Sequence, residues 1–246
     1  MIAIIAGTGF YDIPGLMGRD TLSISTPYGD VELVTGTLNG AQIAFLARHG
    51  GDHSIPPSAI NYRANIWALH SAGAEAILAV NVVGSLVFER GIGSFFVMDD
   101  YIEFTNGREA TFYDQPGNVQ HFDMTTAYSP DLRSKLIHAA ALEGIDVVPT
   151  GTYVCTNGPR FETPAEIRMY IQMGGHVVGM TGYPEVALAR ELSVPYAAVG
   201  VVSNLGAGMF DGEILHEEIG EMLSASKEPL FRMLSRTIQL HSTGSC

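Results

Sequence analysis

The stretch Ala76-Ile77-Leu78-Ala79-Val80-Asn81-Val82-Val83-Gly84-Ser85 decides how this chain folds. Its first five residues are apolar, up to Asn81, with no alternation of apolar and polar side chains. Such a run predicts a strand, over residues 76–82, that is covered on both faces. The end of the run sets the polar Asn81 beside the small Gly84 and Ser85, which suits close approach of a ligand. The longer apolar stretch from Ala76 to Phe88 is interrupted by Asn81 and Gly84 and is too short to cross a bilayer.

Moving outward, similar short runs rich in Val, Ile and Ala predict strands at residues 2–6, 42–47, 94–98, 152–156, 176–180 and 196–203. Residues 30–38 alternate more and suit an edge or barrel strand. Between the runs lie helix-like segments at residues 61–71, 131–143, 164–173, 184–192, 213–226 and 227–239. The third has a clear start in Thr163-Pro164-Ala165-Glu166, where Thr caps, Pro suits the first turn and Glu completes a capping box. Gly174-Gly175 ends it. Residues 99–130 are polar, aromatic and poorly periodic, the character of a lid or a subunit contact. Strands alternating with helices indicate one α/β domain over residues 1–246, with a mixed central sheet or distorted barrel flanked by helices.

The 246 residues suffice for one large, well-buried core. Lys and Arg number 13 against 26 Asp and Glu, a net charge of −13 with no basic tract, which argues against nucleic acid as a partner. Positive charges that meet an anionic ligand must then be few and local. The N-terminal MIAIIAGTGF has no basic lead and reads as a first strand, not a signal peptide. Two cysteines, Cys155 and Cys246, are too few for a disulfide framework, so a reducing cytoplasm is expected.

Several strand ends carry ligand-type residues. Gly7-Thr8-Gly9 follows the first strand directly, where backbone amides and a hydroxyl can approach a phosphate. A dinucleotide fingerprint is excluded, because the further glycine, the helix pattern and the strand-end acid are missing. Arg48-His49 offers a fork of donors and an imidazole to an oxyanion, or is simply an exposed loop pair. His53 with His49 lacks the further ligands of a metal site, and no metal is expected. In Gly158-Pro159-Arg160-Phe161-Glu162-Thr163, an aromatic face stands beside a carboxylate, as a planar base with an N–H edge requires; the bland reading is a core Phe161 and a solvated Glu162. Met180-Thr181 supplies a thioether and a hydroxyl, and Ser203-Asn204 an amide that both accepts and donates. Jointly these match ligand binding at strand termini in α/β folds.

In order and wording, the segments GTG, TPYG, LARHG, NYRANIWAL, GPRFET, GMTGYPEVALARE and VVSN resemble the trimeric purine nucleoside phosphorylases, in their methylthioadenosine and methylthioinosine phosphorylase branch. The resemblance runs over essentially the whole chain. It implies a homotrimer that binds a purine nucleoside and inorganic phosphate, the latter as co-substrate, with no cofactor. Phosphate then maps to Thr8, Arg48, His49, Asn81 and Thr181, although relatives often have Thr or Ala in place of Asn81. Met180 corresponds to the residue against the ribose, Phe161 to the aromatic beside the base, and His121 to one that reaches a neighbouring subunit's site.

The base edge is the most informative part. Adenine-specific members have a small residue at the place of Glu162 and an aspartate pair near Asn204, whereas the 6-oxopurine enzymes resemble this chain. A 6-oxopurine presents a ring N–H that an ionised Glu162 accepts, while adenine presents a lone pair there. A mismatched buried charge costs on the order of several kcal/mol. His216 corresponds to the His that binds a 5′-hydroxyl in inosine and guanosine phosphorylases, whereas the wording of the whole chain points to methylthioinosine. The expected activity is therefore phosphorolysis of a 6-oxopurine nucleoside, S-methyl-5′-thioinosine first, with inosine or guanosine as the alternative. Methylthioadenosine phosphorylase and a phosphate-independent nucleosidase rank below both. Asn204, Glu162 and His49 are the expected catalytic residues.

Overall fold

The computed structural model describes residues 1–51, 54–212 and 223–244. Among these the order is β1 (Ile2–Ala6), β2 (Met17–Thr26), β3 (Gly29–Leu38), β4 (Ala41–Ala47), α1 (Tyr62–Ser71), β5 (Ala76–Ser85), β6 (Phe95–Val97), β7 (Asp100–Phe104), α2 (Pro130–Leu142), β8 (Val147–Val148), β9 (Thr152–Thr156), α3 (Pro164–Gln172), β10 (Val177–Gly179), α4 (Gly182–Glu191), β11 (Tyr196–Leu205) and α5 (Ser224–Ser242). All the strands belong to one mixed sheet. Why the central runs lack polar alternation is visible in β1. Ile2 and Ile4 point into one core with α2 and α5, while Ala3 and Ile5 point into the other with α1 and α4.

The sheet forks at β5. Along one edge β5 pairs in parallel with β11, from Ile77–Tyr196 to Ser85–Leu205. Along the other it pairs first with parallel β1, as far as Ala79, and later with antiparallel β10, at Gly84 and Ser85. Between these two partners, residues 80–83 of β5 have one edge with no strand beside it. Backbone groups left this way must find other partners or face a ligand. A register shift between Val202 and Asn204 adds a bulge in β11 at the same level. Bulges of this kind re-aim the side chain that follows.

Three strands depart from the sequence expectations. β2 is almost wholly exposed and reads MGRDTLSIST, too polar to mark as a strand, yet it forms a long antiparallel hairpin with β3. β7 lies within the polar, poorly periodic segment over residues 99–130, and β8 is only two residues long. The capping box at Thr163 and Glu166 forms as expected. The helix expected over residues 213–226 lies almost entirely outside the described residues, and the last helix spans Ser224–Ser242, longer than the expected 227–239.

One close approach ties the fold to its cavity. Tyr153 on β9 is buried, and its hydroxyl accepts the backbone N–H groups of Thr181 and Gly182 at 3.1 and 3.2 Å. Gly179 packs so tightly here that an added Cβ would lie 2.5 Å from this hydroxyl and 3.0 Å from the ring carbon bearing it. Gly179→Ala is expected to destabilise the protein by about 1–3 kcal/mol through overpacking. A urea-unfolding midpoint equal to that of the parent would show that Tyr153 has room to move.

Candidate active site

The break in β5 opens into a cavity of about 570 Å³. Its wall brings together Thr8 from the turn after β1, Arg48 and His49 after β4, and Phe161 and Glu162 before α3. Met180 and Thr181 join from the β10–α4 junction, and Asn204 from the bulge in β11. Eight residues expected from sequence thus share one cavity although they span residues 8 to 204.

Arg48 is 2 % exposed, and three of its N–H contacts are already engaged. Nε donates to Glu185 Oε1 at 2.6 Å, Nη2 donates to Oε2 at 3.0 Å, and Nη1 donates to the Val80 carbonyl at 2.8 Å. That carbonyl belongs to the unpaired edge of β5, so Arg48 completes the strand as well as facing the cavity. A guanidinium carries more N–H bonds than these contacts use, and the remainder can meet an anion. Glu185 is itself wholly buried and also accepts from the Tyr196 hydroxyl at 2.9 Å. Burial works against the Arg48 cation, yet the adjoining carboxylate raises its pKa overall. In the sequence Glu185 carries no local signal of this role, because an isolated acid in a helix first turn resembles a solvated charge.

His49 Nδ1 lies 2.8 Å from the Ile55 carbonyl. A carbonyl only accepts, so this nitrogen carries the proton and the tautomer is set. Gly7 packs against the far side of the ring, where an added Cβ would fall 2.8 Å from His49 Cδ2 and 3.4 Å from Arg48 Nη1. The glycine after β1 is therefore required by the two side chains, His49 and Arg48, that crowd it.

Asn81 is placed directly against Thr181, another of the expected phosphate residues. It is 1 % exposed and stands behind Thr181, donating from Nδ2 to Thr181 Oγ1 at 3.1 Å. It does not line the cavity, and its Oδ1 has no hydrogen-bond partner among the described residues. Thr181, held this way, still has its own hydroxyl proton to give.

Glu162 is half-buried on the cavity wall, not a solvated charge, and accepts from Thr156 Oγ1 at 2.8 Å. Burial pushes its carboxyl pKa upward, against the lowering effect of that hydrogen bond. Asn204 Oδ1 accepts from Ser203 Oγ at 2.7 Å, and Nδ2 donates to the Leu205 carbonyl at 2.9 Å, which fixes which end of the amide is which. His121 is exposed and is not part of its own chain's cavity wall. His216 and His53 lie outside the described residues.

Arg108, in the aperiodic segment, gave no sequence signal. It donates to the carbonyls of Thr156, Asn157, Met180 and Tyr183 at 2.6–3.2 Å, tying the β9 and β10 ends together beneath Glu162 and Met180. Among the described residues no group of His, Cys, Asp and Glu forms a metal site, and no helix is long and apolar enough to cross a membrane.

Breaking a buried ion pair leaves a charge uncompensated, which costs about 3–5 kcal/mol. Glu185→Gln is expected to lose stability of that size and to weaken binding of inorganic phosphate. Calorimetric titration with phosphate, alongside urea unfolding, measures both; unchanged values would remove Glu185 from the account.

The family model of the phosphorylase superfamily matches residues 1–239. The 6-oxopurine nucleoside phosphorylase of Pyrococcus furiosus is 46% identical over 245 residues, covering 97% of this chain and 92% of the relative. The probable S-methyl-5′-thioinosine phosphorylase of Pseudomonas syringae pv. tomato is 45% identical over 239 residues, covering 96% and 97%. Among solved structures, methylthioadenosine phosphorylase from Schistosoma mansoni with adenine superposes with a TM-score of 0.93 at 32% identity, over 98% of this chain and 92% of that one. The chain is an enzyme of the phosphorylase superfamily and belongs to its purine nucleoside phosphorylase family.

Proposed function

We propose that this enzyme cleaves the N-glycosidic bond of 6-oxopurine nucleosides by phosphorolysis, releasing hypoxanthine or guanine and a (5-methylthio)ribose 1-phosphate. S-methyl-5′-thioinosine is the substrate put first, and inosine or guanosine the alternative. The observation that carries the reading is the presence, in one cavity, of a carboxylate and an oriented amide together with a buried arginine. Glu162 accepts the ring N–H of a 6-oxopurine, and the Asn204 amide serves its remaining polar edge. Relatives named for 6-oxopurine nucleosides and for methylthioinosine, at 45–46% identity, support the same substrate class.

Phosphate needs no base in order to attack. Arg48, His49, Thr8 and Thr181 hold it below the anomeric carbon, with Asn81 supporting Thr181 from behind. Met180 lies against the ribose and Phe161 against the base. The sugar becomes electron-poor at the transition state, as in glycoside hydrolysis. Negative charge grows on the departing purine, and Asn204 is placed to stabilise it. Positioning and electrostatics then supply most of the rate, and the chemistry asks for no cofactor beyond phosphate as co-substrate.

The assembly put forward is a homotrimer in which His121 reaches a neighbour's cavity, and exposed apolar side chains such as Phe88, Ile92 and Val119 are suited to contact between subunits. A cytoplasmic setting accords with Cys155 as a buried free thiol.

The test is base release from methylthioinosine, inosine, guanosine and methylthioadenosine, each with and without phosphate. Cleavage should require phosphate and favour the 6-oxopurines. Asn204→Ala should lower kcat by about 10²–10³-fold, the cost of one such donor, with phosphate KM nearly unchanged. Release without phosphate, methylthioadenosine as the best substrate, or parental turnover in the variant would overturn the reading.

A further inference from the structure

Thr156 ends β9 with a side chain that is 8 % exposed, and its hydroxyl is 2.8 Å from Glu162 Oε1. An ionised carboxylate only accepts, so the hydroxyl donates its single proton to it. That contact engages Oε1 on the cavity wall. The hydroxyl is itself held in place, because Arg108 Nη2 binds the Thr156 carbonyl at 3.2 Å along with those of Asn157 and Met180.

We propose that Thr156 is a specificity-determining positioning residue: its hydroxyl keeps Glu162 ionised and accepting, and so selects 6-oxopurines against 6-aminopurines. The inference rests on Glu162 as the partner of the base. A neutral Glu162 would carry an O–H and would suit the opposite edge, the ring-nitrogen lone pair of a 6-aminopurine. Burial drives the carboxyl toward that neutral form, and Thr156 opposes the drive from β9. The other groups facing Glu162 do not replace it. Its own backbone amide lowers its pKa, Glu166 raises it and Arg160 lowers it. Arg160 and Glu166 are paired to each other through contacts of 2.7 and 2.9 Å, and their opposed charges act against each other at Glu162. Tyr170, on α3, is a neutral neighbour whose own pKa is raised, by burial first.

Three variants test this: Thr156→Val, Thr156→Ala and the conservative Thr156→Ser. Each is assayed with inosine and with adenosine in saturating phosphate over about pH 5 to 9, and kcat/KM is plotted against pH. Falling pH protonates Glu162 and removes 6-oxopurine activity. The Val and Ala variants should therefore lose inosine activity at a pH about one unit higher than the parent. Below that limb their ratio of adenosine to inosine kcat/KM should rise about tenfold, as one pKa unit implies. Thr156→Ser should restore the parental limb and ratio. If Val cannot fold, Ala and Ser alone carry the comparison. An acid limb and substrate ratio unchanged in every folded variant lacking the hydroxyl would overturn the role of Thr156. Failure of the underlying reading looks different: the parent itself would cleave adenosine as well as inosine, or Glu162→Gln would keep full preference for inosine.

Discussion

The buried ion pair between Arg48 and Glu185 is the constraint on which the rest of the structure depends. Withdrawing two full charges from water is unfavourable, and a well-packed apolar pair is often as stable. The pair is tolerable because nearly every group in it is satisfied. Both Glu185 oxygens are engaged by Arg48, one of them also by Tyr196, and Arg48 adds the Val80 carbonyl. The partners come from β5, α4, β11 and the turn after β4, so the charge pair joins both arms of the sheet to a helix. An arginine anchored in this way presents its remaining N–H groups from a fixed position, which is what binding a small anion without a flexible clamp requires.

The forked sheet explains why the cavity lies where it does. A strand paired along both edges has no backbone to offer, whereas β5 loses β1 after Ala79 and gains β10 only at Gly84. The opening between those partners is lined by Val82, Val83 and Gly84, and the β11 bulge aims Asn204 into it. Gly84 keeps the wall low here, since an added Cβ would come within 3.1 Å of Asn204 Nδ2. Sheet topology, and not a single loop, therefore positions the amide, while Arg108 draws the ends of β9 and β10 together from below.

Much of this was legible in the sequence wherever burial dictates residue type. The buried strands β1, β4, β5, β9 and β11 are apolar on both faces, and the α3 start carries a capping box whose two hydrogen bonds both form. Strand-end residues such as Arg48, Thr181 and Asn204 stood out as polar interruptions of apolar runs. What stayed hidden depends on long-range pairing. β2 is exposed along most of its length, so nothing but its hairpin partner makes it a strand. Glu185 looks like any helix-surface acid until Arg48 arrives from 137 residues away. Asn81 shows polarity in a buried strand, but no local pattern says that its amide bonds Thr181 from 100 residues away.

The same separation governs the base site. Glu162 alone says only that a carboxylate is near the cavity, and burial by itself would favour its neutral form. A neutral carboxyl can donate or accept and discriminates poorly between purine edges, whereas an ionised one strictly accepts. Discrimination therefore depends on whatever holds the charge on Glu162, and the contact nearest its carboxylate is the Thr156 hydroxyl. The charged neighbours Arg160 and Glu166 are occupied with each other and lie toward solvent. A small neutral hydroxyl, six residues away in sequence and fixed by the strand end, tips the balance without bringing a counter-charge into a site that must also release its product.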